Sequence, residues 1–196
     1  TGGQDPDALR HVTVLDWGDM AALDALDGSG IAAVIMEAAA INAGCFAPAP
    51  GFLERVREWT RRHGIVLVFD EVITGFRLAL GGAQARYGVA PDLTVLGKAL
   101  GAGMPVSAVS GRRAMFEPIV RGAVSQRGTY NGFPPALAAA AACLAYLGAN
   151  ANTLYPRMER HASTIADHVR SVAARTGVAV TANQLGPCVQ LFAGTT

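Results

Sequence analysis

The chain has 196 residues, of which 51% are hydrophobic, and its formal net charge at pH 7 is +1. This length suffices for one domain with a substantial core, and the balanced charge argues against a nucleic-acid or anionic-membrane partner. Residues 1–11 contain no apolar core of a signal peptide. The widely spaced Cys45, Cys143 and Cys188 form no CxxC pair, so neither a disulfide framework nor a zinc site is indicated, and a reducing cytosol fits best.

The first part of the chain predicts two short strands with a helix between them. Residues 12–15 are an apolar run typical of a strand, and Asp19 can cap the N-terminus of a short helix that follows. Residues 31–36 are a second apolar run, typical of a strand buried on both faces, and Glu37 closes it.

Residues 51–63 predict an amphipathic helix, because their apolar side chains fall at helical spacing. The stripe consists of Phe52, Leu53, Val56 and Trp59. The charged residues between them are expected on a solvated face rather than in an anion site. Gly64 fits the left-handed conformation that commonly ends a helix.

Two further apolar runs each end in a functional group. Residues 65–69 are followed by Asp70, and residues 93–96 are followed by Gly97 and Lys98. Asp70 and Lys98 are 98 − 70 = 28 residues apart, which leaves room for the crossover that parallel strands require. Two adjacent parallel strands would bring both side chains to their carboxyl ends, where open α/β sheets bind ligands.

A lysine and a carboxylate at such a site suit pyridoxal phosphate chemistry. The lysine amine can form a Schiff base with the cofactor aldehyde, while the carboxylate pairs with the pyridinium nitrogen and keeps it protonated. Lysine suits this role because burial readily lowers its pKa. By spacing alone, an alternative stays open in which Asp70 caps a turn and Lys98 is a solvated loop residue.

The second half of the chain predicts mostly helix. A short strand over residues 106–109 precedes a helix that starts near residue 111, and residues 128–132 form a polar turn. Residues 134–147 predict an Ala-rich helix that is shorter than the roughly 20 residues needed to span a bilayer, so we expect it to be buried. Residues 154–175 predict another helix.

The end of the chain predicts a second, smaller sheet, with strands over residues 178–180 and 189–192. A change in composition at residues 148–153 marks the best domain boundary. We therefore expect the central part of a large domain over residues 1–148 and the start of a small C-terminal domain over residues 149–196. The predicted fold class is α/β, a mostly parallel sheet with flanking helices, plus the start of a small α+β domain.

The stretches FDEVITGFR and PDLTVLGKALGAGMP, which carry Asp70 and Lys98, resemble the class III pyridoxal-phosphate aminotransferases. The closest likeness is to the branch that contains glutamate-1-semialdehyde aminomutase, and IAAVIME and RGTYNG extend the match over most of the chain. The resemblance implies a fold-type-I large domain with pyridoxal 5'-phosphate as cofactor. It also implies that Lys98 forms the Schiff base and that Asp70 is the pyridinium partner.

The resemblance implies further site residues. Val72 would pack on one face of the cofactor ring, with plain core packing as the alternative. Glu37 stands at the family's Glu-Pro strand end, where Ala38 replaces the proline, and Asn42 falls where the aminomutase branch has a cofactor-side asparagine. Thr129 would contact the cofactor phosphate of the other subunit in a homodimer with shared sites. The alternative for Thr129 is a cap on the helix that begins near residue 134.

The implied activity is amino-group transfer between a small-molecule amino donor and a keto or aldehyde acceptor, with aminomutase and racemase reactions open. Members of the resembling family are about twice as long as this chain. This sequence shows neither the Gly-rich loop that would bind the cofactor phosphate nor the aromatic residue that would stack on the cofactor ring. We therefore expect a fragment, or one of two chains of which the other supplies the N-terminal part. The rival hypothesis is a non-catalytic remnant that keeps the fold. No metal, nucleic acid or membrane partner is expected.

Overall fold

A four-stranded sheet forms the centre of the molecule. The computed structural model describes residues 6–194. The segment 1–11, which contains no apolar core of a signal peptide, therefore lies partly outside the described residues. The sheet order is β1-β2-β3-β4, with the first three strands parallel and β4 antiparallel to β3. The strands are β1 (Ala33–Met36), β2 (Val66–Glu71), β3 (Leu93–Leu96) and β4 (Ala108–Gly111). The prediction of a mostly parallel sheet is confirmed.

Helices connect and flank these strands. They are α1 (Met20–Ala25), α2 (Phe52–His63), α3 (Gly82–Tyr87), α4 (Arg113–Val120) and α5 (Pro134–Thr176), with 3-10 turns at Pro6–Leu9 and Lys98–Gly101. Asp19 caps α1 as predicted, because its carboxylate accepts a hydrogen bond from the N–H of Ala22 at 2.9 Å. Gly64 ends α2 at a φ of 68°, also as predicted.

The core lies between α2 and the sheet. The four residues of the predicted α2 stripe are all buried, and they belong to the same cluster as Leu67 and Phe69 of β2, both fully buried. Each large side chain buried in this way stabilises the fold by about 1.5–3 kcal/mol relative to its exposed state. The stripe therefore fixes which face of α2 meets the sheet.

Two predictions for the first part of the chain are wrong. Residues 12–15 form no strand, and Val14 is 80% exposed, because this segment has no ladder partner among the described residues. Of the second predicted run, residues 33–36 form β1, but the strand is not buried on both faces, and Ile35 is 72% exposed. Ala33 and Ile35 point to one face of β1, which is exposed, whereas Val34 and Met36 on the other face are half-buried.

Helix α5 is one continuous helix of 43 residues, where the sequence predicts two. It runs through residues 148–153, so the predicted domain boundary falls inside it and stays a prediction. The Ala-rich part is mostly exposed rather than buried, with Leu137 at 50% and Tyr146 at 58%. Within the described part of the chain, α5 is the one helix that is long and apolar enough to cross a membrane, by length and composition only. Of the 18-residue segment of α5 that meets this criterion, 6% is buried.

The small C-terminal sheet is an antiparallel hairpin of β5 (Val180–Leu185) and β6 (Cys188–Ala193). The first strand begins at the end of the range predicted for it and continues through polar residues that interrupt the apolar pattern. Asn183 donates from its amide to the carbonyl of Gly44 at 2.9 Å, and Gln184 donates to the hydroxyl of Ser163 in α5 at 3.0 Å. These hydrogen bonds satisfy polar side chains that the periodicity does not favour in a strand.

Candidate functional site

The carboxyl ends of β2 and β3 meet at one edge of the sheet. Asp70 pairs in register with Val95, and β3 ends at Leu96, two residues before Lys98. Asp70 therefore lies near the end of β2 and Lys98 follows β3, so both are at the same edge of the sheet, as the sequence predicts. This is the edge at which α/β sheets bind their ligands.

Lys98 is exposed and has an uncommon backbone conformation. Its φ is 42°, in the left-handed region that costs a non-glycine residue on the order of 1–3 kcal/mol. Helix α5 backs the turn that Lys98 begins, because the thiol of Cys143 donates to the carbonyl of Ala99 at 3.3 Å. No described residue forms a hydrogen bond or an ion pair with the Lys98 amine, so this amine is available for chemistry.

Asp70 is half-buried, and its carboxylate retains free acceptor capacity. One oxygen, Oδ1, accepts a hydrogen bond from the N–H of Val72 at 3.0 Å, and no other described residue donates to this carboxylate. Val72 also lies beside the lysine loop, since a Cβ at Gly97 would lie 3.5 Å from its Cγ1. Val72 is thus close both to the Asp70 carboxylate and to Gly97, the residue before Lys98.

Glu37 and Asn42 form a local unit after β1. The Glu37 carboxylate accepts hydrogen bonds from the Asn42 side-chain amide at 2.9 Å and from the N–H groups of Ile41 and Asn42 at 2.9 Å and 3.3 Å. Trp17 donates to the Glu37 carbonyl at 2.9 Å. Glu37 therefore holds the turn that carries the exposed Asn42, and the buried Ala38 occupies the position of the family's proline.

Thr129 lies in an exposed turn after α4. The turn is closed by hydrogen bonds from the N–H of Asn131 to Gly128 and from the N–H of Phe133 to Tyr130. The N-cap of α5 is Phe133, which makes no side-chain capping bond. The alternative in which Thr129 caps this helix is therefore wrong. Within the described chain, no hydrogen bond joins Thr129 to the other candidate residues.

Sequence reasoning missed Glu71, which is fully buried beside Asp70. Its carboxylate accepts hydrogen bonds from the Thr74 hydroxyl, from the N–H groups of Ala83 and Gln84 and from the Gln84 side chain. Adjacent strand residues point to opposite faces, so Glu71 and Asp70 serve different surroundings. In the sequence, the adjacent acidic residues Asp70 and Glu71 were the available signal, but they do not indicate which of the two is buried.

Sequence reasoning also missed Asp92, which precedes β3 and is buried. Its carboxylate accepts hydrogen bonds from Arg57 at 2.9 Å, from the N–H of Leu67 at 2.8 Å and from Arg112. Burial by itself would raise the pKa of Asp92, but the Leu67 hydrogen bond and the two guanidinium groups outweigh it and hold that pKa below its ordinary value.

A groove of about 730 Å³ lies on the sheet face that carries Glu71. Gln84, Thr94 and Arg112 line it together with Glu71, but neither Asp70 nor Lys98 does. By volume alone, this groove would be the candidate site. The free amine and carboxylate at the sheet edge are the stronger indication of a chemical site, because they supply reactive groups.

Known proteins are similar to this chain over nearly its whole length. The family described as aminotransferase class-III matches residues 15–185. A curated protein from Pelotomaculum thermopropionicum, named glutamate-1-semialdehyde 2,1-aminomutase, is 47% identical over 189 residues, or 94% of this chain and 43% of the relative. One of the same name from Desulfosudis oleivorans is 44% identical over 194 residues, or 97% of this chain and 45% of the relative. The chain spans less than half the length of these relatives.

Solved structures show the same fold. An omega-transaminase from Sphaerobacter thermophilus has a TM-score of 0.84 at 33% identity, covering 95% of this chain and 43% of that one. A glutamate-1-semialdehyde-aminomutase from Pseudomonas aeruginosa PAO1, in complex with PMP, has a TM-score of 0.77 at 27% identity, covering 100% of this chain and 46% of that one. The predicted α/β fold is thereby confirmed.

Proposed function

The chain belongs to the class-III aminotransferase family, and from that premise we propose that it supplies the reactive lysine and the ring-binding carboxylate of a pyridoxal-phosphate-dependent enzyme. The observation that carries this proposal is the placement of Lys98 and Asp70 at the ends of adjacent parallel strands. The Lys98 amine has no described partner, and the Asp70 carboxylate accepts a single hydrogen bond, so both are free to act.

The residues present fit pyridoxal 5'-phosphate at two of its functional groups. When bound, this cofactor supplies an aldehyde that condenses with amines and a ring that accepts electron density. Lys98 supplies the amine, and Asp70 supplies the acceptor for the protonated ring nitrogen. Two relatives support the assignment by their descriptions, a transaminase with PLP bound and the aminomutase in complex with PMP.

Asp70 acts as a fixed negative charge. The Val72 N–H that donates to Oδ1 orients the carboxylate, and the remaining lone pairs can accept a proton-bearing ring nitrogen in a charge-assisted hydrogen bond. Such a preorganised charge favours the protonated form of its partner and costs no reorganisation during the reaction. Val72, between Asp70 and the Gly97 turn, supplies the apolar contact to the ring.

Lys98 moves protons at its Nζ atom. A neutral lysine amine can remove a proton from the substrate carbon that bears the transferred nitrogen and can return it to a neighbouring position. This role requires an amine that no carboxylate neutralises, and the lack of a described ion pair at Lys98 supports it. The contact between Cys143 of α5 and the Ala99 carbonyl supports the turn that carries this strained residue at the sheet edge.

The substrates we propose are a small-molecule amino donor and a keto or aldehyde acceptor. The curated relatives are named as glutamate-1-semialdehyde 2,1-aminomutases, and they support an intramolecular form of the reaction, in which both positions lie on one molecule. The likeness to an omega-transaminase supports transfer between two molecules. Both reactions use the same Lys98 and Asp70 roles.

We also propose that further protein surface completes the site. Thr129 is exposed and caps no helix, which suits contact with a phosphate held by a second copy in a homodimer. All four residues of β4 are exposed, and β1 lies at the other edge of the described sheet. Such edges suit pairing with additional strands, from the same longer protein or from a separate chain that supplies the N-terminal part.

The test exploits a property of the sequence, since Lys98 is its only lysine. Treatment with pyridoxal phosphate and then borohydride should attach the cofactor to the peptide that contains Lys98. The Lys98→Arg variant, which retains the charge, is the matched control and should show no label at that peptide. Label confined to the N-terminal amine, or no label in cofactor-binding protein, would favour the non-catalytic remnant instead.

A further inference from the structure

The buried Glu71 carboxylate organises the turn that follows β2. Oε2 accepts hydrogen bonds from the Thr74 hydroxyl at 2.9 Å and from the Ala83 N–H at 2.5 Å. Oε1 accepts from the N–H of Gln84 at 3.2 Å and from its side-chain amide at 3.0 Å. All four partners act as donors, so the arrangement suits a group that only accepts hydrogen bonds, which is the ionised carboxylate.

The same network reaches the strand that leads to Lys98. The side-chain amide of Gln84 also donates to the hydroxyl of Thr94 in β3, at 3.1 Å. Thr94 is buried and lies four residues before Lys98. Gln84 is therefore a bridge between the end of β2 and the strand that positions the lysine.

Close packing leaves this network little freedom. A Cβ at Gly75 would lie 2.6 Å from both the Glu71 carbonyl and the Cδ2 of Leu96 in β3. Gly82 has a φ of +70°, and a Cβ there would overlap the Glu71 carboxylate. Two glycines thus allow the turn and α3 to approach both strand ends, which favours a single arrangement of the strands.

We propose that Glu71 is a positioning residue that fixes the ends of β2 and β3 relative to each other and thereby sets where Lys98 stands with respect to Asp70. This inference rests on the proposed function for its catalytic meaning. Asp70 and Glu71 are adjacent in β2 and point to opposite faces, so holding one side chain also sets the direction of the other. The positive φ of Lys98 persists because the surrounding contacts hold it.

The first test needs no cofactor. Labelling with 15N-lysine gives one backbone amide signal, because Lys98 is the only lysine. Glu71→Gln keeps the size of the side chain but sets an NH2 group against N–H donors. We expect the Lys98 signal to shift or broaden, and amide exchange over residues 93–98 to accelerate by about tenfold, the effect of one unsatisfied buried group.

The matched control is Glu58→Gln in α2, an exposed glutamate that pairs with Arg62 at i,i+4 spacing. It should leave the Lys98 signal and the exchange of residues 93–98 unchanged. A general loss of stability would accelerate exchange in α2 as well, so exchange confined to residues 72–84 and 93–98 supports positioning. The proposal would be overturned if the Lys98 amide signal and the amide exchange of Glu71→Gln matched those of the wild-type protein.

A milder variant keeps the proposal testable if Glu71→Gln does not fold. Thr94→Val removes the hydroxyl that Gln84 contacts and leaves the four hydrogen bonds of Glu71 in place. The Lys98 signal should move in the same direction by a smaller amount. No movement in this variant would also overturn the proposal, because the bridge to β3 would then have no effect on Lys98.

A second arm measures the catalytic consequence in the complete cofactor-loaded enzyme. Glu71→Gln should lower kcat by about tenfold or more while KM changes little, as expected when the reacting groups are misplaced but the substrate still binds normally. Unchanged kcat would overturn the catalytic part of the proposal. If the unchanged protein acquires no label at Lys98, the proposed function fails, and the Lys98 amide signal still decides whether Glu71 positions this residue.

Discussion

The two ends of β3 carry opposite kinds of charged residue. Asp92, just before the strand, is buried and accepts hydrogen bonds from Arg57, from Arg112 and from a backbone N–H. Lys98, just after the strand, is exposed, has a positive φ and has no described partner. They are only six positions apart in the sequence, as 98 − 92 = 6.

Along this one strand, the residue at one end contributes to stability, and the residue at the other end is free for chemistry. Asp92 joins α2, β2 and the junction between β4 and α4 through its partners Arg57, Leu67 and Arg112, so its charge serves the fold. A charge that is already paired and buried is poorly placed to react with a ligand, whereas an unpaired amine at the carboxyl edge of the sheet can do so. Substitutions at the two ends should therefore affect different measurements.

Replacing Lys98 should have the largest effect on activity and almost none on folding. In the complete enzyme, Lys98→Ala is expected to lower kcat on the order of a million-fold, the scale seen when a nucleophile is removed. The free energy of unfolding should change by less than about 0.5 kcal/mol, because the side chain is exposed. Turnover assays and urea denaturation check the two expectations. A large loss of stability would break the contrast with Asp92.

Asp70→Asn should also act on chemistry, with a smaller effect. The variant keeps the size of the side chain but removes the charge that holds the ring nitrogen protonated, so kcat should fall by about 100-fold or more, on the order of 3 kcal/mol. The Val72 hydrogen bond can remain, so urea denaturation should be nearly unchanged. Near-normal turnover in the complete enzyme would show that Asp70 does not serve the ring.

Asp92→Asn should give the opposite outcome. Its free energy of unfolding is expected to fall by about 3 kcal/mol, because two guanidinium groups lose their buried carboxylate. Where the variant is folded, borohydride labelling at Lys98 should proceed as in the unchanged protein. A variant of full stability with impaired labelling would reverse the roles of the two strand ends.

The pH dependence sharpens this expectation. The pKa of Asp92 is lowered in the folded state from an ordinary value of 3.8, so its contribution to stability is complete above that value. As the pH falls below about 4, Asp92 is protonated in the unfolded chain before it is protonated in the folded protein. Its contribution to the free energy of unfolding therefore decreases until the pH reaches the lower folded-state pKa. The difference in unfolding free energy between the unchanged protein and Asp92→Asn should therefore shrink in acid. A constant difference from pH 7 to pH 3 would contradict this.

Thr129 provides the smallest expected signal, in a mixing experiment with the complete enzyme. Mixing Thr129→Ala subunits with Lys98→Ala subunits creates dimers in which one site combines the intact lysine with the intact threonine. With random assembly, about a quarter of the normal activity should return, since half of the dimers carry one complete site. Turnover before and after subunit exchange measures the recovery. Mixed dimers without recovery would exclude a cross-subunit role.

Local patterns in the sequence predicted the elements that form the candidate site. The apolar runs before Asp70 and Lys98 predicted β2 and β3, because a buried strand requires continuous apolar side chains. The stripe in α2 predicted its buried face for a similar reason. The separation of 28 positions between Asp70 and Lys98 allowed a parallel crossover, so the shared edge of the sheet followed from chain length and strand hydrophobicity.

Only the tertiary structure decided how the other polar groups are used. The sequence shows Asp70 and Glu71 as equivalent neighbours, and packing buries one under α3 while the other stays available at the sheet edge. It gives no sign that Asp92 meets Arg57, 35 residues away, because that contact depends on how α2 packs across the sheet. Strand and helix propensities are local and can be read along the chain. Burial and charge pairing depend on which distant segments meet, and those contacts form only when the chain has folded.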